Sequence, residues 1–191
     1  MNKNKRLNAS GFPVGKFSRI WGRVDQTAKT ISIGDFVTLG TNSFVASHCP
    51  VKGANKEKLT TKIENDVWIG YNSLISPGTI IGRRTIIGMG SVVSGNIPKD
   101  SVYVGNPAKR VKTRNPIEVV RTRLYMRQGL GPNDSPKWNI TKQDINEIFP
   151  DILYGDLDFF LNENFCMRYF YIELPDTIQD TITFLNRAYN G

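Results

Sequence analysis

The sequence predicts a mainly β chain wound as a three-sided coil. Three observations carry that prediction: an aliphatic residue at every sixth position, a small or turn-forming residue after it, and a small or β-branched residue four places on. Counting by six from Ile33 gives Ile33, Leu39 and Val45, then Ile63, Ile69, Ile75, Ile81, Ile87 and Val93. The following residues are Gly34, Gly40, Ala46, Gly70, Ser76, Gly82, Gly88 and Ser94, with Glu64 the exception. Four places after the aliphatics stand Val37, Ser43, Val67, Ser73, Thr79, Thr85, Ser91 and Ile97.

A helix needs apolar positions three and four apart and an isolated strand needs a period of two, so neither holds over this stretch. A chain that turns every six residues makes a prism of short strands, with successive turns stacked about 4.8 Å apart and hydrogen-bonded as a parallel sheet. The aliphatics then stack inside. The glycines are expected at the corners because glycine reaches positive φ without penalty, with Asn42, Asn65 and Asn72 as the next most tolerant types. A β-sandwich also contains short strands and glycines, but it does not keep one period from Ile63 to Val93 or regain phase after a break.

That break lies between Val45 and Ile63, where the polar, lysine-rich segment 49–62 reads as a loop leaving the prism. Loops set on a rigid scaffold are where binding groups collect. Residues 1–30 read as an irregular N-terminal segment or an imperfect first coil, with only Trp21 in phase. The regular coil occupies residues 31–112, and its pattern stops after Pro98. From 113 to 191 the composition changes to a mixed, largely helical appendage. Ile117 to Gln128 reads as a helix after Pro116, a second helix begins near Thr141, and aromatics crowd Tyr154 to Tyr171 as packing groups.

Composition excludes several classes. Of the 191 residues 39% are hydrophobic and 22% charged, which is ordinary for a folded domain and unlike a disordered chain. No apolar run is long enough for a membrane span, Met1 to Gly15 does not read as a signal peptide, and Cys49 and Cys166 form no framework. A cytoplasmic location is the expectation. The net charge of +8 raises a nucleic-acid reading. The basic residues are dispersed, however, with small groups at Lys3–Arg6, Arg83–Arg84 and Lys109–Arg114 and no recognition-helix or zinc-finger spacing. A small polyanionic ligand accounts for the second and third groups as well.

The segment Ile63-Glu-Asn-Asp-Val-Trp-Ile-Gly70, followed by Ile75-Ser-Pro-Gly78, Ile81-Gly82, Ile87-Gly-Met-Gly-Ser-Val-Val93 and Val104-Gly-Asn-Pro-Ala-Lys109, resembles the hexapeptide-repeat acyltransferases, in the maltose and galactoside O-acetyltransferase branch. The resemblance covers residues 31–112. It implies a left-handed parallel β-helix, a homotrimer with sites between adjacent subunits, and acetyl-CoA as donor to a small, sugar-like acceptor. An amino-sugar nitrogen, an antibiotic-type acceptor, or a non-catalytic assembly protein on the same coil are the alternatives.

His48 is the single histidine and stands where the repeat breaks into the loop, the place of the catalytic base in similar proteins. A hydroxyl is a weak nucleophile until a neighbouring group takes its proton, and imidazole suits that task. A main-chain carbonyl or an acidic side chain is expected to orient its other nitrogen. Cys49 next to it suggests a covalent Cys–His mechanism, but neighbours on an extended segment point to opposite faces. By the resemblance Tyr71, Met89 and Ser94 line the pantetheine arm, and Lys109 and Lys112 meet the nucleotide phosphates. Asp25 is the candidate for binding acceptor hydroxyls, and Trp68 for flanking the acceptor or thioester end or packing at a subunit boundary. No metal is expected, since the zinc site known on such a prism needs three histidines.

Overall fold

A computed structural model describes residues 14–25, 31–48, 60–114, and 119, 122, 123, 126 and 129. The chain divides into two compact units, Met1–Asn115 and Pro116–Gly191. Fourteen strands lie among the described residues, all in the first unit, and they form three walls. The first wall runs in spatial order β1 (Arg19–Ile20), β4 (Thr38–Leu39), β7 (Trp68–Ile69), β10 (Ile86–Ile87), β13 (Ser101–Gly105) and β14 (Ala108–Thr113). The second holds β2 (Arg23–Val24), β5 (Phe44–Val45), β8 (Leu74–Ile75) and β11 (Val92–Val93). The third holds β3 (Ile31–Ile33), β6 (Thr61–Ile63), β9 (Ile80–Ile81) and β12 (Asn96–Ile97).

From β1 to β13 successive strands belong to successive walls, and every pairing is parallel except β13 with β14, which share the first wall. This is the three-sided coil that the period of six requires. Each wall sends one column of aliphatics inward: Leu39, Ile69 and Ile87; Val45, Ile75 and Val93; Ile33, Ile63, Ile81 and Ile97. The small residues four places on are buried too, and their hydroxyls serve the corner backbone. Ser73 Oγ donates to Gly88 O at 3.0 Å, Thr85 Oγ1 donates to Pro98 O at 3.0 Å, and Ser91 Oγ accepts from Gly105 N at 3.1 Å.

The glycines occupy the corners for a different reason from the one expected. Positive φ falls instead on Phe36, Asn42, Asp66, Asn72, Arg84 and Asp100, and on Gly78, Gly90 and Gly95 outside the hexad position. At the hexad glycines the constraint is close approach of the next coil. A Cβ on Gly70 would lie 2.6 Å from Met89 N, and one on Gly40 would lie 2.8 Å from Tyr71 N. The third corner, between the third and first walls, also holds a partly buried ion pair. Arg84 is fully buried and its Nη2 donates to Asp100 Oδ2 at 3.1 Å, while Arg114 donates to the carbonyl of Asp66.

The first coil is real, and its phase is shifted. Ile20 pairs with Leu39 and Val24 with Val45, so these two, and not Trp21, take the inward places; Trp21 is exposed. The corner between Ile20 and Val24 is two residues shorter than its counterpart between Leu39 and Val45, which removes the period of six. Strand β6 begins at Thr61, inside the segment read as a loop, and 49–59 lie outside the described residues. Past Pro98 the coil continues into β13, and β14 turns back on it as a hairpin around a cis Asn106–Pro107 bond.

In the second unit Val119, Thr122, Arg123 and Met126 are helical, and Gly129 follows with its N–H bonded to Met126 O at 3.2 Å. The second helix near Thr141 and the aromatic run from Tyr154 lie outside the described residues. No helix among the described residues is long and apolar enough to cross a membrane.

Candidate active site

His48 follows β5 at the second corner, between the second and third walls, with its side chain 47% exposed. Parallel pairing of β2 with β5 sets Val24 beside Val45, and the N–H of Asp25 continues the ladder to Val45 O at 2.9 Å. That register carries the Asp25 carboxylate under the corner, where its Oδ2 lies 2.7 Å from His48 Nδ1. The same oxygen accepts from Ser47 Oγ at 2.7 Å and from Ser47 N at 3.3 Å. The carboxylate is 10% exposed and the imidazole about half, so the acid lies beneath the ring and the ring faces outward.

A carboxylate accepts and does not donate, so the short contact to Nδ1 assigns a proton to that nitrogen and, in the neutral ring, leaves the lone pair on Nε2. Such a contact favours, for the neutral imidazole, the tautomer whose distal nitrogen can take a proton, with an anion beside it to stabilise the imidazolium that results. Sequence reading placed Asp25 with the acceptor and left the orienting group open. Ser47 escaped it altogether, because a serine beside a histidine carries no signal until a carboxylate from another coil is known to sit below both.

The remaining candidates divide between two corners and one wall. Ser94 lies on the second corner, two coils from His48, since Val45 pairs with Ile75 and Ile75 with Val93. Tyr71 and Met89 stack one coil apart on the first corner, where Gly90 N donates to Tyr71 O at 2.8 Å, and both are exposed. Trp68 stands on the outer face of the first wall, 46% exposed, with Ile69 turned inward beside it. Lys109 and Lys112 are exposed on β14, the outermost strand of that wall. Thus His48 shares its corner with Asp25 and Ser94, while Tyr71 and Met89 occupy another edge of the prism. Among the described residues no group of three or more metal-binding side chains occurs.

Residues 60–95, which make the most regular coils, match the family model for bacterial transferase hexapeptide (six repeats). The match falls within the described coil, from β6 to β11. Over 92 residues the chain is 34% identical to galactoside O-acetyltransferase of Escherichia coli (strain K12), covering 45% of each sequence. Over 66 residues it is 39% identical to a chloramphenicol acetyltransferase of Klebsiella aerogenes, covering 35% of this chain and 31% of that one. The chain therefore spans less than half the length of these curated relatives. Among solved structures it is similar to a hexapeptide-repeat acetyltransferase of Vibrio cholerae O1 biovar eltor complexed with acetyl coenzyme A. There the identity is 28%, with 52% of this chain and 58% of that chain covered and a TM-score of 0.46.

Proposed function

We propose that this protein is an acetyl-CoA-dependent O-acetyltransferase acting on a hydroxyl of a small acceptor, a sugar or polysaccharide precursor, with His48 as general base. The observation that carries the proposal is the 2.7 Å contact between His48 Nδ1 and Asp25 Oδ2 at the break in the hexapeptide coil. In this reading Nε2 takes the acceptor hydroxyl proton as the oxygen attacks the thioester carbonyl. The tetrahedral intermediate then collapses, the carbon–sulfur bond breaks, and the imidazolium returns its proton to the departing thiolate. Asp25 is the orienting group here, in place of the acceptor-binding role expected from sequence. A positioned base of this kind contributes ~10²–10⁴-fold in rate.

Acetyl-CoA is the co-substrate in this reading, with Tyr71 and Met89 along the pantetheine arm, Ser94 near the thioester, and Lys109 and Lys112 toward the phosphates. Lysine neutralises phosphate as a point charge without arginine's paired fork. His48 and the Tyr71–Met89 pair occupy different corners of one prism, and a cleft between two copies brings unlike corners together. That division supports sites shared between copies; in this reading the coil is left-handed and assembles as a homotrimer in the cytoplasm, with Trp68 at the subunit boundary or beside the acceptor.

A second reading has an antibiotic or amino-sugar acceptor, and the similarity to a chloramphenicol acetyltransferase favours keeping it. A screen of galactose, maltose, a nucleotide-sugar, glucosamine and chloramphenicol, following thiol release from acetyl-CoA, separates the two. With the acceptor so found, His48→Ala is expected to lose at least a hundredfold in turnover while acetyl-CoA still raises its melting temperature. Turnover equal to the parent protein would remove His48 from the mechanism, and a monomer by light scattering would remove the shared site.

A further inference from the structure

We propose that Ser47 is a positioning residue that fixes the proton of His48 on Nδ1 by holding the Asp25 carboxylate; this rests on the reading of His48 as base. Three donors converge on one oxygen, Asp25 Oδ2: Ser47 Oγ at 2.7 Å, Ser47 N at 3.3 Å and His48 Nδ1 at 2.7 Å. Ser47 is 1% exposed, and a buried hydroxyl takes a partner rather than remain unsatisfied.

Two acceptors compete for its proton, because Ser47 Oγ also lies 3.4 Å from His48 Nδ1. The outcome of that competition decides whether the imidazole can act as a base. If the hydroxyl donated to Nδ1, the ring proton would move to Nε2, and the nitrogen that faces outward would have no lone pair to offer. The carboxylate wins on both distance and charge, since 2.7 Å is the normal length of a hydroxyl–carboxylate bond and 3.4 Å is past it. With its hydroxyl so committed, Ser47 turns Asp25 Oδ2 toward Nδ1 and its backbone N–H braces the same atom. Neighbouring residues on an extended strand would point apart, but Ser47 and His48 follow β5 at a corner, where the alternation of a strand no longer applies.

The chain contains one histidine, so a sample labelled with nitrogen-15 in histidine reports on this ring alone. Nitrogen chemical shifts of the neutral ring give the tautomer without any acceptor or donor present. The parent protein is expected to hold the Nδ1–H form, Ser47→Ala to shift a measurable share of the population to Nε2–H, and Ser47→Thr to restore the parent spectrum. In the thiol-release assay with acetyl-CoA and the acceptor found above, Ser47→Ala is expected to lower kcat about tenfold and leave KM for acetyl-CoA within twofold. Asp25→Asn should shift the tautomer at least as far. Circular dichroism and melting temperature establish that each variant is folded.

A folded Ser47→Ala protein with the parent tautomer and the parent kcat would overturn the positioning role, whether or not His48→Ala is inactive. A tautomer shift in Ser47→Ala, with no acetyl transfer by the parent to any acceptor tried, would support the positioning role and overturn the reaction assigned to the site.

Discussion

The first coil, residues 14–25, and the coils from Ile31 to Ile97 stack in the same three walls, yet they obey different rules. In the later coils aliphatics recur at every sixth position down to Val93, and their buried columns exclude solvent almost completely. In the first coil Val14 is buried, but the inward residues of its two strands are Ile20 and Val24, only partly buried and four apart, and Gly22 makes the short corner between them. Regular coils supply a rigid ruler with equal steps. The irregular one supplies Asp25, the carboxylate that meets His48. Repetition thus builds the frame, while the functional contact falls where repetition lapses, between a first coil out of phase and a second coil interrupted by a loop.

The largest test of this contrast is packing. Ile75→Ala empties a fully buried place in the middle of a column and is expected to cost about 3–4 kcal/mol in denaturant unfolding, against about 1–2 kcal/mol for partly buried Ile20→Ala. Equal losses would mean that the first coil is as integral to the core as the rest.

Next comes the corner. Gly70→Ala sets a methyl 2.6 Å from Met89 N, which requires the coils to move apart and should cost about 2–3 kcal/mol. Gly90→Ala, with nothing within 4 Å but a φ of +66°, should cost only about 1 kcal/mol for the left-handed backbone. If the ranking reversed, conformational freedom rather than close approach would be the reason for the hexad glycines.

The smallest effect belongs to the surface of the third corner. Lys62 Nζ donates to Glu64 Oε1 at 2.8 Å, and Arg83 N donates to Oε2 at 3.1 Å. The Lys62 hydrogen bond, with further help from Arg83, holds the Glu64 carboxyl below its ordinary value against the opposing effect of burial. A lowered folded-state value means the contribution is present at neutral pH and is lost as pH falls from the ordinary carboxylate range through that lower value. Lys62 is exposed and Glu64 about one-third exposed, so solvent screens the pair and Glu64→Gln should cost about 0.5 kcal/mol or less at neutral pH and nothing at strongly acidic pH.

Much of the scaffold was legible in the sequence because a period of six admits few geometries. The inward places of Leu39, Ile69, Ile75 and Ile87, the buried hydroxyls of Ser43, Ser73 and Thr85, and the departure at His48 all follow from counting. Counting failed where spacing changed. Trp21 fits the period but faces out, since a corner shorter by two residues shifts the phase, and Pro98 ends the pattern while β13 adds a further strand. The reason for the glycines was missed because a missing Cβ serves either a turn or a close approach, and only the neighbouring coil distinguishes them.

By itself the sequence determined the period, and with it the number of walls, the columns that fill them and the place where a histidine leaves the repeat, since these depend on contacts that recur at a constant interval. The tertiary structure alone decided that Asp25, Ser47 and His48 meet at one oxygen. Their meeting depends on the register of β2 against β5, and register is set by how whole coils stack. No spacing between residues 25 and 48 encodes it, because the corners that separate them differ in length.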